Sequence, residues 1–547
     1  MVQKARSPRC RHAPTFWHPV TFSAATLFTP GMSYRILFLG LNTILGAYYL
    51  FLRRRRNTVR NILGPPSPSW VFGHSLQLVF APEYGDYEFS WQKMYGPLYR
   101  LKGCFGEDSL VISDPVALQH IVNTPAIEHG PVLENIIELL FGKKSVVSTK
   151  GEAHKHFRAA MNAGFSASAV RNLQPALVRA AQELTEELQQ ISAAPVNLSP
   201  RLSNATLNAV LQAGLGCSPA DLSEELLGNN WKIVSLSSSQ SAPHIFAIGA
   251  CLPKWAWTLA SKVPTATFNV IRSAKNLTEK LGEKVVQNKR ELTRQGMEIN
   301  TDVFGVLMDQ YRQDKSKHTL NWEEIAAQTS AILFPGQDPT ANTLAFGLWE
   351  LAKHPEFQEQ LRAEIQSNTL AIETCTYDTM PLLNAFIKEV LRLYPAAALI
   401  QRIAVEDTVI PLANPIITAS EQFISHVPVQ KGQVLTLAVA SYQRLEQYWG
   451  EDAQKFRPLR WIDGTLNDIK APAIGPYANL MSFLGGPRVC LGWRFAVLEL
   501  QVFFCELVRN LSFSLPEDDF VRMRFSGSLI PVLPTGEKGM PLSISRV

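Results

Sequence analysis

Apolar residues recur every three or four positions over most of this chain, which is the spacing of one face of an α-helix. Five segments carry the pattern: residues 170–191, 323–352, 355–365, 382–393 and 493–511. Asn321 stands just before the second segment, where an asparagine side chain can cap a helix N-terminus. We therefore predict that most of the chain is helical.

Short alternating runs predict strands in only a few places. Leu98–Lys102 and residues 109–112 alternate apolar and polar positions and are separated by Gly103 and Gly106, which predicts a small sheet. No linker rich in proline, glycine or serine divides the chain after about residue 75. The predicted fold class is therefore mainly α with small β-sheets, in one large domain that covers residues 76–547.

The first 75 residues differ from the rest in charge and hydropathy. Residues 1–60 hold ten of the 52 lysines and arginines and none of the 47 acidic residues, so the body that follows is mildly acidic. The apolar run 36–52 is near the lower length limit for a membrane span, and the four arginines at 53–56 favour a cytosolic C-terminal side. We predict a basic extension 1–35, a transmembrane anchor 36–52 and a basic, proline-rich hinge 53–75 that spaces the body from the bilayer.

Other interpretations of this head stay open. Residues 1–31 are rich in arginine and free of acid, as in a mitochondrial transit peptide, and the apolar run could instead be a cleaved signal. Translation could start at Met32 rather than Met1, which would bring the apolar run almost to the N-terminus. The seven cysteines are scattered without paired spacing, which indicates a reducing compartment.

One short run near the C-terminus has the composition of a cofactor-binding loop. Residues 483–492 read Phe-Leu-Gly-Gly-Pro-Arg-Val-Cys-Leu-Gly and lie just before the last predicted helix. Cys490 would stand at the helix N-terminus, where free N–H groups favour a thiolate and lower its pKa. Gly486 permits a tight turn and Gly492 a close approach of the backbone to a flat ligand. Phe483 can cover one face of such a ligand, and Arg488 can pair with an anionic group on it.

This run resembles the cysteine loop of the cytochrome P450 family, in which a cysteine thiolate holds haem iron. A lone cysteine at the start of a helix is more often a small buried hydrophobe. The complete spacing of Phe, Gly, Arg, Cys and Gly, and other motifs of the family in the same order, favour the resemblance. It extends from the hinge near Pro65 to the C-terminus and implies haem b as the cofactor, with Cys490 as the metal ligand.

A charged pair on the helix 382–393 resembles the ExxR motif of the family. Glu389 and Arg392 lie three residues apart and so share one helix face, and the apolar residues around them predict burial. Arg460, in the segment 456–461, would complete a triad by resemblance. We predict a structural role for the triad in holding the loop that leads to Cys490; the alternative is an exposed ion pair.

Three further positions match those that bind the haem propionates in the family. His154 stands where the family has a tryptophan, and its imidazole N–H can replace the indole N–H as a donor. Arg158 follows four residues later, and Arg402 matches a third position, which Arg488 would join. The alternative for residues 154 and 156 is a pair of surface histidines on a basic helix.

The segment 334–340 departs from the family pattern. By resemblance it crosses the distal face of the haem, where an acid and a threonine organise the water that supplies protons for oxygen activation. Asp338 matches the acidic position of the family pattern, but Pro339 stands where the family usually has a threonine. Pro335 and Pro339 predict a bulge or kink. We predict that Asp338 carries protons and that Thr340 can contribute only if the kink rotates its hydroxyl inward.

The resemblance implies a fungal microsomal monooxygenase in the endoplasmic reticulum membrane, with its catalytic domain in the cytosol. It would use O2 and NADPH electrons from a separate NADPH-cytochrome P450 reductase, which Lys143, Lys144 and Lys155 could attract. Apolar segments implied to line the substrate site, such as residues 128–141 and 231–257, predict a hydrophobic small molecule from secondary metabolism, a terpenoid, steroid-like or polyketide compound. No feature indicates nucleic-acid binding.

Two other functions are compatible with the sequence. The proline at 339 leaves room for a reductase-independent haem-thiolate isomerase or dehydratase. A membrane-anchored, non-catalytic haem- or sterol-binding protein is disfavoured by Asp338 and by the complete cysteine loop.

Overall fold

The computed structural model describes residues 58–547, apart from residues 80, 192–194, 239–258, 260–261, 264, 314–318, 468–471 and 519. The predicted extension 1–35, the anchor 36–52 and the first part of the hinge lie outside the described residues. In the part of the chain that is described, no helix combines the length and the hydropathy needed to cross a membrane. Residues 58–547 form one compact unit.

Helices make up most of this unit, as predicted. In the first half they are α1 Ser75–Val79, α2 Glu88–Tyr95, α3 Pro115–Asn123, α4 Pro131–Phe141, α5 Gly151–Met161, α6 Ala167–Asn172, α7 Gln174–Gln189, α8 Ser199–Val210, α9 Glu224–Ser238 and α10 Ala266–Arg294. In the second half they are α11 Val303–Gln313, α12 Trp322–Ala326, α13 Thr329–Lys353, α14 Pro355–Ser367, α15 Thr369–Glu373, α16 Pro381–Leu393, α17 Val439–Tyr442, α18 Glu446–Trp449 and α19 Trp493–Asn510.

The strands form small sheets. Their bounds are β1 Leu98–Lys102, β2 Asp108–Ile112, β3 Ile127–His129, β4 Val196–Asn197, β5 Leu399–Ala404, β6 Thr408–Ile417, β7 Phe423–Val429, β8 Val434–Ala438, β9 Leu511–Ser514, β10 Arg522–Phe525, β11 Leu529–Val532 and β12 Pro541–Arg546. One sheet has the order β1-β2-β8-β5-β3, with β2 and β8 parallel and the other pairs antiparallel. A second sheet has the order β4-β12-β9, and β6-β7 and β10-β11 are two-stranded.

Helix α13 runs through the hydrophobic core and carries the segment 334–340. Every residue from Thr340 to Ala352 is buried, because apolar side chains lie on all sides of the helix and it packs against α8, α16 and α19. The helix is continuous across Pro335 and Pro339. The hydroxyl of Thr343 donates to the carbonyl of Pro339 at 2.9 Å.

Two predicted helix boundaries were wrong. The segment 323–352 forms two helices, and Asn321 caps the short α12 through a reciprocal pair of 3.0 Å hydrogen bonds with Glu324. The chain turns at Gln328, whose side chain bonds the backbone of residues 144 and 146 and so holds the break. The segment 170–191 likewise begins in α6, and α7 starts afresh with a proline in its first turn.

Candidate active site

The loop that carries Cys490 is held in shape by close backbone packing. Gly486 has φ +65°, and a Cβ there would lie 2.1 Å from the carbonyl oxygen of Val122. The N–H of Cys490 donates to the carbonyl of Phe483 at 2.9 Å, which closes the loop. Cys490 therefore precedes α19 by three residues in a turn that a bulkier residue at 486 would strain.

Cys490 faces an internal space. Its side chain keeps accessible surface although it lies deep inside the protein, so the exposed part lines a space within the fold. Burial raises the pKa of the thiol, while the backbone N–H of Gly492 and the nearby Arg158 act in the opposite direction. The predicted net lowering of this pKa was wrong, because desolvation outweighs the effect of the helix terminus.

Glu389, Arg392 and Arg460 form a fully buried and fully paired cluster, which we call the paired cluster. The carboxylate of Glu389 accepts from Arg392 at 2.8 and 2.9 Å and from Arg460 at 3.0 Å, and all three side chains are 0% exposed. It also accepts from the Trp461 indole at 3.0 Å and from the N–H of Arg457 at 2.8 Å. Burial alone would raise the pKa of Glu389, but the two arginines outweigh it and hold the pKa below its usual value.

The paired cluster is tied to the start of the cysteine loop. Arg392 donates to the carbonyls of Gln443 and Ala453 at 2.8 and 2.6 Å. The hydroxyl of Ser482, next to Phe483, donates to the carbonyl of Leu391 at 2.7 Å and contacts the Gln443 side chain at 3.1 Å. The cluster thus joins α16, the segment after β8 and the cysteine loop, which is the arrangement expected of a structural lock.

A second group of basic side chains lies near Cys490 and, in the described part of the chain, forms no ion pair with a carboxylate. We call it the cationic cluster; it consists of His129, His154, Arg158, Arg402 and Arg488. Among the described residues none of its three arginines forms an ion pair with an acid; Arg402 donates to the carbonyl of Gln401 at 3.1 Å and Arg488 to that of Thr149 at 2.8 Å. Strand pairing places His129 of β3 directly opposite Arg402 of β5.

The pKa values in the cationic cluster reflect burial first and mutual repulsion second. Burial and then Arg488 lower the pKa of Arg402 to about 10. Burial, Arg402 and Arg488 lower the pKa of His129 to about 3, and burial, Arg488 and Arg158 lower that of His154 to about 4. Glu134 at His129 and Glu128 at Arg488 oppose these effects only in part, so this concentration of positive charge favours the binding of an anion.

A cavity of about 270 Å³ opens beside this cluster. His129 and Arg488 line it together with Lys150 and Glu134. Lys150 is itself compensated by Glu128 at 2.6 Å and by Glu134 at 3.1 Å. The two acids that line the cavity are both paired with lysines, Glu134 with Lys150 and Glu138 with Lys143 at 3.5 Å, so an anion bound beside the cluster would come from a ligand.

Asp338 and Thr340 lie on different sides of α13. The carboxylate of Asp338 accepts from the Lys538 ammonium and from the Asn342 amide, the latter at 3.3 Å. Thr340 is buried and its hydroxyl lies by the Glu499 carboxyl of α19. Burial raises the pKa of Glu499 well above its usual value, against the opposing effect of that hydroxyl. Two residues along a helix correspond to about 200° of rotation, so the two side chains diverge.

The cytochrome P450 family profile matches residues 63–538. The chain belongs to the cytochrome P450 family. A P450 monooxygenase of Postia placenta, number 219, is 29% identical over 86% of this chain and 92% of its own length. The P450 monooxygenase claU of Ampulloclitocybe clavipes is 27% identical over 85% of this chain and 88% of its own length. A solved cyanobacterial P450 with retinoic acid bound shares the fold, with a TM-score of 0.67 at 20% identity over 89% of this chain and 100% of its own.

The family and the enzyme class predicted from the sequence are thereby confirmed: the chain is a P450 monooxygenase. The relatives are named monooxygenases, which favours this class over an isomerase or a passive binding protein.

The site has the groups that haem requires. Haem carries two propionates, and the cationic cluster offers uncompensated donors for two carboxylates close to a thiol that lines the same interior. A Cβ at Gly492 would find its nearest neighbour, the Phe165 ring, 3.7 Å away, so there is room beside the backbone. Phe483 is buried and its ring meets that of Tyr477 edge-on at 6.3 Å.

His154 is buried and faces the cluster, so the alternative of two surface histidines was wrong for this residue. The structure also adds three residues that sequence reasoning missed: His129, Glu499 and Lys538. His129 reaches the site because β3 pairs with β5. This pairing of distant strands is seen in the fold but not in the local sequence.

The lysines predicted to attract a reductase have local partners. Lys143 pairs with Glu138 at 3.5 Å, Lys144 with Glu323 at 3.8 Å and Lys155 with Glu152 at 2.6 Å. All three lysines are well exposed, so these pairs are weak and leave the ammonium groups available to a partner.

Proposed function

We propose that this P450 inserts one oxygen atom of O2 into a hydrophobic small molecule and releases the other as water, with NADPH electrons delivered by a separate NADPH-cytochrome P450 reductase. One observation carries the proposal: a thiol that lines an interior space lies close to a buried cluster of uncompensated cations. The fungal origin of the relatives supports a role in fungal secondary metabolism.

Each residue of the site has a separate task in this proposal. Cys490 provides the sulfur ligand, and the cationic cluster binds the two propionates and so fixes the orientation of the ring. Haem held there supplies the activation of O2 and the oxidation of the substrate. The paired cluster keeps the cysteine loop in place from behind.

Asp338 is the group proposed to hold and move protons. Its carboxylate lies in α13 one residue before Pro339, where the helix offers neither a hydroxyl nor an N–H. The side chain is 16% exposed, so it keeps access to water from which it can take up a proton at Oδ1 or Oδ2. Thr340 has its hydroxyl beside Glu499, and we propose no direct exchange between Thr340 and Asp338.

The substrate class is proposed from apolar side chains around the start of α13. Leu333 is buried, and the ring of Phe334 meets that of Phe141 from α4 edge-on at 6.5 Å. Such a wall suits a terpenoid, steroid-like or polyketide skeleton. Most of the segment 231–257, which was also predicted to line the site, lies outside the described residues.

We further propose that the anchor 36–52 places the catalytic domain on the cytosolic face of the endoplasmic reticulum. The support is the sequence alone: an apolar run followed by four arginines.

The experiment is a turnover assay of the membrane-bound protein with reductase, NADPH, O2 and a panel of fungal terpenes, steroids and polyketides. The proposal expects one NADPH and one O2 consumed for each oxygen atom found in product from labelled O2. Product formed without NADPH and O2, or product oxygen that comes from water, would contradict it.

A further inference from the structure

The C-terminal turn, residues 533–540 between β11 and β12, reaches α13 through Lys538. The turn is rigidly built: Leu533 donates to the carbonyl of Glu537 at 2.8 Å, and Gly536 donates back to Leu533 at 2.8 Å. Gly539 donates to Pro531 at 3.1 Å, and Lys538 forms a bridge with Val532. The backbone of Lys538 is therefore fixed before its side chain makes any contact.

From this position Lys538 donates to the Asp338 carboxylate 200 residues earlier in the chain. The two side chains are only 11% and 16% exposed, so water screens the pair far less than it screens a surface ion pair. Asn342 holds the other carboxylate oxygen at 3.3 Å, which leaves Asp338 little rotational freedom.

We propose that Lys538 is a positioning residue for Asp338, and that it couples the C-terminal turn to the proton-carrying carboxylate. This inference rests on the proposed role of Asp338. In this proposal the Lys538 ammonium holds the carboxylate in place by donating to it, and water supplies the proton.

The turn also lies close in sequence to a strand that contacts the region before β5. Leu529 of β11 donates to the carbonyl of Ala396 at 2.8 Å, and β11 packs against α13. Because Val532 of β11 forms a bridge with Lys538, a displacement of β11 would move Lys538 and with it the Asp338 carboxylate. The Lys538–Asp338 ion pair therefore connects the position of β11 to the position of the proton-carrying carboxylate.

The test uses the haem-loaded enzyme with Lys538→Met, Lys538→Arg, Asp338→Asn and the double variant Lys538→Met/Asp338→Asn. Lys275→Met is the control, because Lys275 forms a 3.2 Å ion pair with Glu279 on α10 whose side chains, 30% and 47% exposed, are more accessible than those of Lys538 and Asp338. Hydrogen–deuterium exchange of the peptide 529–540 measures how firmly the Lys538–Asp338 ion pair holds the C-terminal turn. Peroxide released per NADPH, measured with reductase and dodecanoic acid as a surrogate ligand, reads proton delivery.

We expect Lys538→Met and Asp338→Asn each to speed exchange in residues 533–540 by about threefold or more, and Lys538→Arg to restore the slow rate. We expect Lys538→Met to raise peroxide per NADPH by about threefold, with no further rise in the double variant. Lys275→Met should change neither quantity.

The outcomes separate this inference from the proposed function. If Asp338→Asn raises peroxide but Lys538→Met does not, Lys538 has no positioning role and the relay stands. If Lys538→Met adds its full effect to Asp338→Asn, the two residues act independently and the inference fails. If Asp338→Asn itself leaves the peroxide ratio unchanged, the proton-carrying role of Asp338 is lost, and the inference falls with it.

Discussion

The paired cluster and the cationic cluster both bury arginines beside the cysteine loop, yet they differ in compensation. Arg392 and Arg460 share the Glu389 carboxylate and donate to backbone carbonyls. Arg460 also pairs with Asp452 at 2.7 Å, and the Trp461 indole donates to Glu389, so every charge in the first cluster has a partner. Arg402 and Arg488 have one backbone carbonyl each and repel each other. The charges of the paired cluster are neutralised within the folded chain, whereas those of the cationic cluster are neutralised only when an anionic ligand binds.

The difference gives a rule for assigning buried charge. A buried charge that is fully hydrogen-bonded and ion-paired within the chain maintains structure. Removal of one partner leaves the others buried without compensation and so destabilises the fold. A buried group of like charges that the chain does not neutralise destabilises the empty protein and favours ligand binding. Mutations should therefore act with opposite sign on the two clusters.

The largest effect is expected for Glu389→Ala. It leaves the fully buried Arg392 without a carboxylate and Arg460 with Asp452 alone, at a cost of about 3–5 kcal/mol in folding free energy. We expect little haem-loaded protein, measured as haem per protein after purification. Glu323→Ala is the control, because this residue is 85% exposed in its pair with Lys144. Normal haem content in Glu389→Ala would place the pair in the class of surface ion pairs.

Arg402→Met should have the opposite effect on the empty protein. Loss of a buried, uncompensated charge should raise the unfolding free energy of the apoprotein, while haem affinity falls by about 1.5–3 kcal/mol as a charge-assisted hydrogen bond disappears. Urea unfolding of the apoprotein and haem transfer to an acceptor protein measure the two quantities. A fall in both would mean that Arg402 belongs to the structural class.

His129 allows the same comparison by pH. Its pKa of about 3 lies below the ordinary value of 6.5, so its contribution to apoprotein stability is complete above about pH 6.5 and is lost as the pH falls toward 3. His129→Asn should reduce the slope of stability against pH in that window by up to about 1.4 kcal/mol per pH unit. An unchanged slope would show that His129 titrates normally and lies outside the cluster.

His154→Trp should give the smallest effect. The substitution restores the donor that the family usually carries at this position, so haem affinity should stay within about threefold of the parent chain, whereas His154→Ala should lose about tenfold. Equal affinity in both variants would remove His154 from the set of propionate donors.

Local spacing made part of the site predictable. Cys490, Glu389 and Arg392 stand in short motifs whose meaning depends on a few neighbouring positions, and Arg402 and Arg460 followed from motifs of the same kind. The net pKa of Cys490 was not predictable, because desolvation depends on the whole surrounding fold. His129, Glu499 and Lys538 were missed because distant segments bring them to the site: β3 against β5, α19 against α13 and the C-terminal turn against α13.

The fold class was predictable because helical periodicity is strong over most of the chain. The helix break at Gln328 depends on side-chain contacts with residues 144 and 146 that no window of sequence contains, whereas the break at Leu173 precedes a proline in the first turn of α7. The predicted anchor 36–52 stays a prediction.

The ferrous carbonyl spectrum of Cys490→Ala tests the central claim most directly, namely that the thiol facing the internal space holds haem iron. The parent chain should show the red-shifted band of thiolate ligation, and Cys490→Ala should lose it. Cys217→Ala is the matched control and should keep the band, because the charged groups that act most strongly on that thiol are Asp221 and Asp302, whereas the charged neighbour of Cys490 is Arg158 of the cationic cluster. Retention of the band in Cys490→Ala, or its loss in Cys217→Ala, would contradict the account.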